Sequence, residues 1–329
     1  MEKSIPSARS PIKAALRNRR MRKAYHLLYS TFRIIFLICI AYIILYPLLY
    51  MLIQSVSTNE SFQNSGRVWI PSSVTLENYS YIIKVMKYGK ALWSTVRYEL
   101  VSALLEVCTC AVVAYGFSRF QFRFKKLLTG LLFLTILVPT SMLIIPLSVN
   151  FSHMDVLGIL GLVNKLTGVD LRVSLINTPW AFWLPSLLAS GLRSGIMIFI
   201  YMQFFKGLPG EFEEAAWVDG AGPLRTFLQI IVPSSSVVIL TVTVFAVIWH
   251  WNDYQLAMMY TTENFPLAAA LMNLPDFLTT QGFWMTTTFP ITIAYVMCGC
   301  VLFVFPPLIM YMFIQRWFIE SVDRVGITG

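Results

Sequence analysis

The chain has 329 residues, 57% of them apolar and only 12% charged, with a formal net charge of +9 and a mean hydropathy of +0.67. The charged share is about half the roughly 25% of an ordinary soluble protein, too little polar surface to cover a core of this size. This excludes a soluble fold, and with it a nucleic-acid-binding protein, whose basic charge would leave the apolar excess unexplained.

A helix needs about 20 apolar residues to cross a hydrocarbon core of roughly 30 Å. Residues 1–33 form a basic lead. Residues 34–53 are uncharged throughout and make the first predicted span. Five more follow, at 96–117, 127–149, 180–205, 233–251 and 290–313. Pro47, Pro139, Pro146, Pro185, Pro306 and Pro307 lie within these segments, where membrane helices tolerate them because neighbouring groups satisfy the freed carbonyls. Six spans put both termini on one side. That side, with the 118–126 and 203–232 loops, carries 17 Lys and Arg against 6 on the other. The positive-inside rule makes it cytoplasmic. The first apolar run exceeds a signal-peptide core, so it reads as a retained anchor. The organisation is a cytoplasmic segment 1–33, a six-span domain 34–315 and a cytoplasmic tail 316–329.

GxxxxGK[ST], HExxH, GxSxG and GxGxxG are all missing from the sequence, which removes the common nucleotide-binding and hydrolase readings. Cys39, Cys108, Cys110, Cys298 and Cys300 fall within apolar spans and read as buried, unreactive thiols. His26, His153 and His250 are scattered, with no metal-ligand spacing.

The loop at 206–233, KGLPGEFEEAAWVDGAGPLRTFLQIIVP, carries the most local information. Pro209 and Gly210 end the preceding helix. Glu211, Glu213 and Glu214 crowd the first turn of a new one, where carboxylates suit the positive end of the helix dipole. Ala215 and Ala216 favour helix and let another surface approach closely. Gly220 supplies a left-handed residue to end the helix, and Pro223 suits the first position of the next. Leu224, Phe227, Leu228 and Ile231 fall at i, i+3, i+4 and i+7, which predicts a second amphipathic helix. The whole predicts a helix–turn–helix with an acidic, small-residue knob facing outward.

Glu214, Ala215, Ala216, Gly220, Ile230 and Pro233 form a pattern that resembles the EAA loop of ABC importer permeases. Asp219 and Pro209 narrow the likeness to the carbohydrate-importing branch, in particular the second permease subunit of the maltose-transporter type. WIPSSVTLENY at 69–79 resembles part of that family's first external loop, AYGFSRF at 114–120 the end of its second span, and WND at 251–253 the end of its fifth. The tail DRVGITG departs from the family's usual ending, and the basic lead is longer than usual.

The resemblance implies an all-α integral membrane protein with the type I ABC importer (MetI-like) permease fold, six transmembrane helices and both termini cytoplasmic, in the bacterial plasma (inner) membrane. It implies a non-catalytic subunit of an ATP-driven, binding-protein-dependent sugar importer. A second homologous permease subunit would complete the pore. Two copies of a cytoplasmic ABC ATPase would drive it, and an extracytoplasmic sugar-binding protein would deliver the solute. The residues it implies for ATPase coupling are Glu211, Glu213, Glu214, Ala215, Ala216, Asp219, Gly220 and Pro233. No cofactor, metal or nucleic acid is implied.

Polar residues within spans are the remaining candidates. Glu99 and Glu106 are seven apart, about 20° from sharing one helical face. A charge at mid-bilayer costs about 2.5–3.5 kcal/mol, so Glu106 is assigned to the pore, to inter-subunit pairing or to a structural hydrogen bond. Arg193 reads as the outer end of a shorter fourth span that begins near Ser194. Trp249, Trp251, Asn252, Asp253 and Tyr254 cluster at the outer end of span five, where sugar binding and interfacial anchoring explain them equally well. Two rival functions share these features. One is an ABC permease for a non-sugar solute. The other is a stand-alone proton-coupled transporter with Glu99, Glu106 and Asp253 as relay groups.

Overall fold

The computed structural model describes residues 10–58, 71, 73–155, 158–168, 172–280 and 289–326. The basic lead is therefore described from residue 10 and the tail as far as 326, while Trp69 and Ile70 of the external-loop motif lie outside the described residues.

Regular structure among the described residues is helical. α1 (Ser10–Ser55) is one unbroken helix of 46 residues. At 1.5 Å per residue it is about 69 Å long. The predicted first span is its C-terminal part, and Ile34, Phe36, Ile43 and Leu45 are exposed along it, as a lipid-facing surface requires. α2 (Glu77–Val85) precedes α3 (Tyr88–Arg119), which contains a π-helical turn at Val96–Leu100. Then come α4 (Lys125–Leu137), α5 (Thr140–Ser152), α6 (Ile159–Thr167), α7 (Trp180–Leu187) and α8 (Ser194–Gly207). The 206–233 loop forms α9 (Glu211–Val218) and most of α10 (Pro223–Ser234). α11 (Ser236–Trp251), α12 (Tyr254–Tyr260), α13 (Leu267–Met272), α14 (Leu274–Thr280) and α15 (Phe289–Gly326) complete the order.

Three of the six predicted spans are not single straight helices. α4 and α5 meet at a 101° bend. The bend sits at Pro139, and Val138 before it is extended at ψ 124°, the conformation a following proline enforces. α10 and α11 meet at 82°, two residues after Pro233. The predicted fourth span is divided into α7 and α8 by a connection in which Ala189 takes a positive φ of 50°. Arg193 sits immediately before α8, as expected for a span starting near Ser194. Among the described residues, three helices are long and apolar enough to cross a membrane on their own, or up to five if each bent pair is one span.

The core is built on α3. Ala103, Val107, Cys110, Ala111 and Ala114 form a buried stripe that packs against Met197, Tyr201 and Phe205 of α8 and Val242 and Ala246 of α11. Small residues at such a seam let helices approach closely where no hydrophobic drive separates protein from lipid. Cys110 and Cys298 are buried as expected, but Cys39 and Cys108 are exposed. Ser194, at the start of α8, contacts Glu106, and Leu208, just past its end, contacts Arg119. α3 and α8 therefore run parallel. His250 near the end of α11 also meets Glu106, so α11 runs antiparallel to both. The bundle thus has two polar ends, separated by 13 residues of α3, or about 20 Å.

Candidate functional site

At one end, the loop folds around its predicted punctuation. The amides of Glu213 and Glu214 donate to the Gly210 carbonyl at 3.0 and 3.1 Å, and all three glutamates occupy the first turn of α9. Gly220 stands at φ +80°. Its N–H donates to Trp217 O at 3.0 Å, and that of Ala221 donates to Ala216 O at 2.9 Å. These are the paired bonds of a Schellman stop.

The two faces of α9 differ. Glu213 and Ala216, three residues apart, turn into the protein and are buried. Glu213 lies 3.1 Å from Arg119 at the end of α3, and Arg119 donates to Leu208 O at 2.8 Å. Glu211, Glu214, Ala215 and Asp219 face outward. Val218 lies with them and is 88% exposed, while Phe212 and Trp217, five positions and so about 140° apart on the helix, are half exposed on its two flanks. The exposed surface of α9 therefore carries the acidic and small residues expected of the knob, apart from the buried Glu213 and Ala216, and adds apolar groups that the sequence reading left out.

The second predicted amphipathic face is also divided. Phe227 and Ile231 are buried, whereas Leu224 and Leu228 are 68% and 55% exposed. The reason is a π-helical turn over Phe227–Ile231, whose wider spacing breaks the 3.6-residue register. Phe227 packs on Tyr115 at 4.9 Å between ring centroids, which joins α10 to α3. Pro233 lies exposed in the last turn of α10.

The opposite end holds a buried polar cluster. Glu99 and Glu106 are each 2% exposed and do share one face of α3. His250 stands between them, with Nε2 at 2.8 Å from Glu106 and Nδ1 at 3.4 Å from Glu99. The fully protonated ring is the form that donates to both carboxylates. Ser194 donates to the other oxygen of Glu106 at 2.5 Å. One carboxylate thus ties α3 to both α8 and α11. Arg193 lies over the Trp249 ring at 5.6 Å and 4.0 Å from Asp253. Glu106, Arg193, Trp249, His250, Phe182 and Tyr260 line a pocket of about 40 Å³, which has room for water but is far below the roughly 300–1,000 Å³ of ligand sites.

The structure therefore separates the residues predicted around span five. Trp249 borders this pocket. Trp251 is buried elsewhere, with its indole N–H donating to Phe303 O of α15 at 3.2 Å. Asn252 is exposed and donates back to Ile248 O. Asp253 caps α12 by accepting from the Leu256 amide. His250 and Ser194 are the participants that sequence reasoning passed over. A search for metal-ligand spacing discards His250, yet a lone ionisable residue inside an apolar run is a reason to look for its partner.

Gly191 is fitted to the cluster. A Cβ there would sit 2.7 Å from Glu106 Oε1 and 3.1 Å from Ser194 Oγ. Gly191→Ala is expected to push the carboxylate off Ser194 and destabilise by about 1–3 kcal/mol, the usual range for overpacking. A thermal melt of the purified variant checks it, and an unchanged midpoint would show that the cluster yields freely.

Residues 108–324 match the family described as binding-protein-dependent transport system inner membrane component. The sn-glycerol-3-phosphate transport system permease protein of Yersinia pestis is 25% identical over 286 residues, which cover 85% of this chain and 91% of the relative. The trehalose transport system permease protein of Mycobacterium tuberculosis is 24% identical over 262 residues, covering 79% and 84%. The crystal structure of a bacterial ABC transporter involved in import of the acidic polysaccharide alginate contains a chain of the same fold. Its TM-score is 0.65 at 18% identity, and the match covers 91% of this chain and 98% of that one.

Proposed function

Because this chain belongs to the family of binding-protein-dependent transport system inner membrane components, we propose that it is one of the two pore-forming permease subunits of an ATP-driven sugar importer. It is a transport subunit without catalysis of its own. In this reading six spans cross the bacterial inner membrane with both termini in the cytoplasm. A second permease subunit completes the pathway, and an external binding protein delivers the sugar. α9 docks on a cytoplasmic ATPase.

The observation that carries the reading is the outward face of α9. Val218 is exposed there beside Glu211, Glu214 and Asp219, with Phe212 and Trp217 half exposed on the flanks, on a loop that ends in a Schellman stop. The apolar groups gain by burial in a groove, the alanine at 215 lets the surfaces approach, and the carboxylates face basic groups on the ATPase. Glu213 and Ala216 support the helix from behind. ATP-driven closure of the ATPase pair moves α9 as a rigid body, and the bundle alternates between outward-facing and inward-facing states. At the other end Trp249 and Asp253 are the candidates for solute contact. Glu106 is already committed to His250 and Ser194, and Trp251 and Asn252 have their own structural partners.

The test is copurification of the tagged chain from its native membrane with identification of partners by mass spectrometry, followed by uptake in proteoliposomes. The expected result is a second permease and an ABC ATPase, with uptake that requires ATP and the binding protein. Uptake by the purified chain alone, driven by a proton gradient, would overturn it. A second solute class, a phosphorylated polyol, is favoured by the sn-glycerol-3-phosphate relative. Titration of the cognate binding protein with both solute classes separates the two.

A further inference from the structure

We propose that Arg119 is a positioning residue for energy coupling: its guanidinium clamps the docking helix α9 to the cytoplasmic end of α3 by holding Glu213 and the Leu208 carbonyl together. The proposal rests on the docking role of α9 and adds the path by which motion of α9 enters the bundle.

By chain connectivity alone, α9 hangs on two weak joints. Leu208-Pro209-Gly210 leads into it from α8, and Gly220-Ala221-Gly222 leads out to α10. Both joints contain glycine, and neither would transmit a tilt. Arg119 bridges the first of them. It belongs to a different helix, stands 3.1 Å from Glu213 in the first turn of α9, and reaches Leu208 O at 2.8 Å. Both ion-paired side chains are largely buried, at 15% and 6% exposed, so solvent screens the pair far less than a surface bridge. One planar guanidinium makes both contacts, which a lysine cannot do in the same geometry.

The anchor point is rigid. Tyr115, one turn back along α3, packs on Phe227 of α10 at 4.9 Å and edge-on to Phe205 of α8 at 6.2 Å. The ends of α3, α8 and α10 therefore form one aromatic block beneath α9. α3 then runs unbroken from Arg119 back to Glu106, whose contacts with Ser194 and His250 hold the far ends of α8 and α11. A displacement of α9 that pulls on Glu213 is thus applied to the helix that links both polar ends. The inward residues of α9, Glu213 and Ala216, belong to this strut, and the outward ones are left to meet the ATPase.

The experiment uses the complete complex, with partner permease, ATPases and binding protein, in proteoliposomes. ATP hydrolysed per solute imported is measured together with copurified ATPase. Arg119→Gln and Glu213→Gln are each expected to raise the ATP-to-solute ratio about tenfold, which corresponds to about 1.4 kcal/mol and lies within the coupling range of paired charges, while the ATPase still copurifies. The double variant is expected to be no worse than either single, because the two groups act on each other. Arg119→Lys retains the charge and should fall between, and it also serves if Arg119→Gln fails to accumulate. A wild-type ratio in the single variants, or effects that multiply in the double variant, would overturn the clamp. Glu214→Lys, on the outward face, is the separating control. If it leaves ATPase copurification unchanged, the docking reading fails. If it abolishes copurification while Arg119→Gln keeps the wild-type ratio, docking stands and the clamp alone is wrong.

Discussion

Glu106→Ala is expected to destabilise the subunit by about 3–5 kcal/mol, the cost of leaving one member of a buried pair without its partner. Glu106 is the closer of the two carboxylates around His250, at 2.8 Å, and it also receives the Ser194 hydroxyl. Removing it takes one contact from each of two helix–helix seams and opens a void beside Gly191. A loss of that size lowers the melting midpoint of a chain this long by on the order of 10 °C. His250→Ala should cost a similar amount. The double variant should cost less than the sum by about 1 kcal/mol or more, since contacting groups couple. Glu106→Gln preserves shape and hydrogen bonding and should be the mildest of the set. Thermal melts of the four variants in detergent provide the measurement. Additive losses would mean that the two residues act separately and that the cluster does not join the helices.

Gly220→Trp is expected to cut solute uptake about tenfold or more, since a loss of 1.4 kcal/mol already corresponds to a factor of ten. Gly220 stands at φ +80°, a conformation that costs an L-residue about 1–2 kcal/mol. Among the described residues nothing lies within 4 Å of a Cβ placed there, so the first side-chain carbon itself meets no obstacle. In the docking proposal the rest of the effect comes from the ATPase surface that a bulky ring would meet. Gly220→Asn separates the two causes, because asparagine tolerates the left-handed region and is small. Asn should retain most uptake, and Trp should lose it at normal expression. If Trp transports as well as Asn, nothing docks against this corner of the loop.

Much of the loop was legible because its signals are local. Proline at the entrance, acidic residues in the first turn, glycine at the stop and proline at the restart each act within a few residues. α9 begins and ends where they predict. The bend between α4 and α5 was also written locally, in the restriction that Pro139 places on Val138, although tolerance of proline inside membrane helices hid it. Periodicity failed where the helix itself changed pitch. The π-helical turn at Phe227–Ile231 put Leu224 and Leu228 outside, although a uniform 3.6-residue register places all four apolar residues together. The family resemblance rested on the same loop, and the match over residues 108–324 agrees with it.

The scarcity of charge, at 12% of residues, was enough to require a bilayer, because burial in lipid is the only way to remove that much apolar surface from water. It also made each ionisable residue within a span informative. The partners of those residues were not legible. Glu106 meets His250 across 144 positions of sequence and Ser194 across 88. Arg119 meets Glu213 at the other end of the same helix. Such pairs depend on which helices run parallel, how far each is shifted along its neighbour and which face it turns inward. Packing sets those three quantities for the whole bundle at once, so no short stretch of chain contains them.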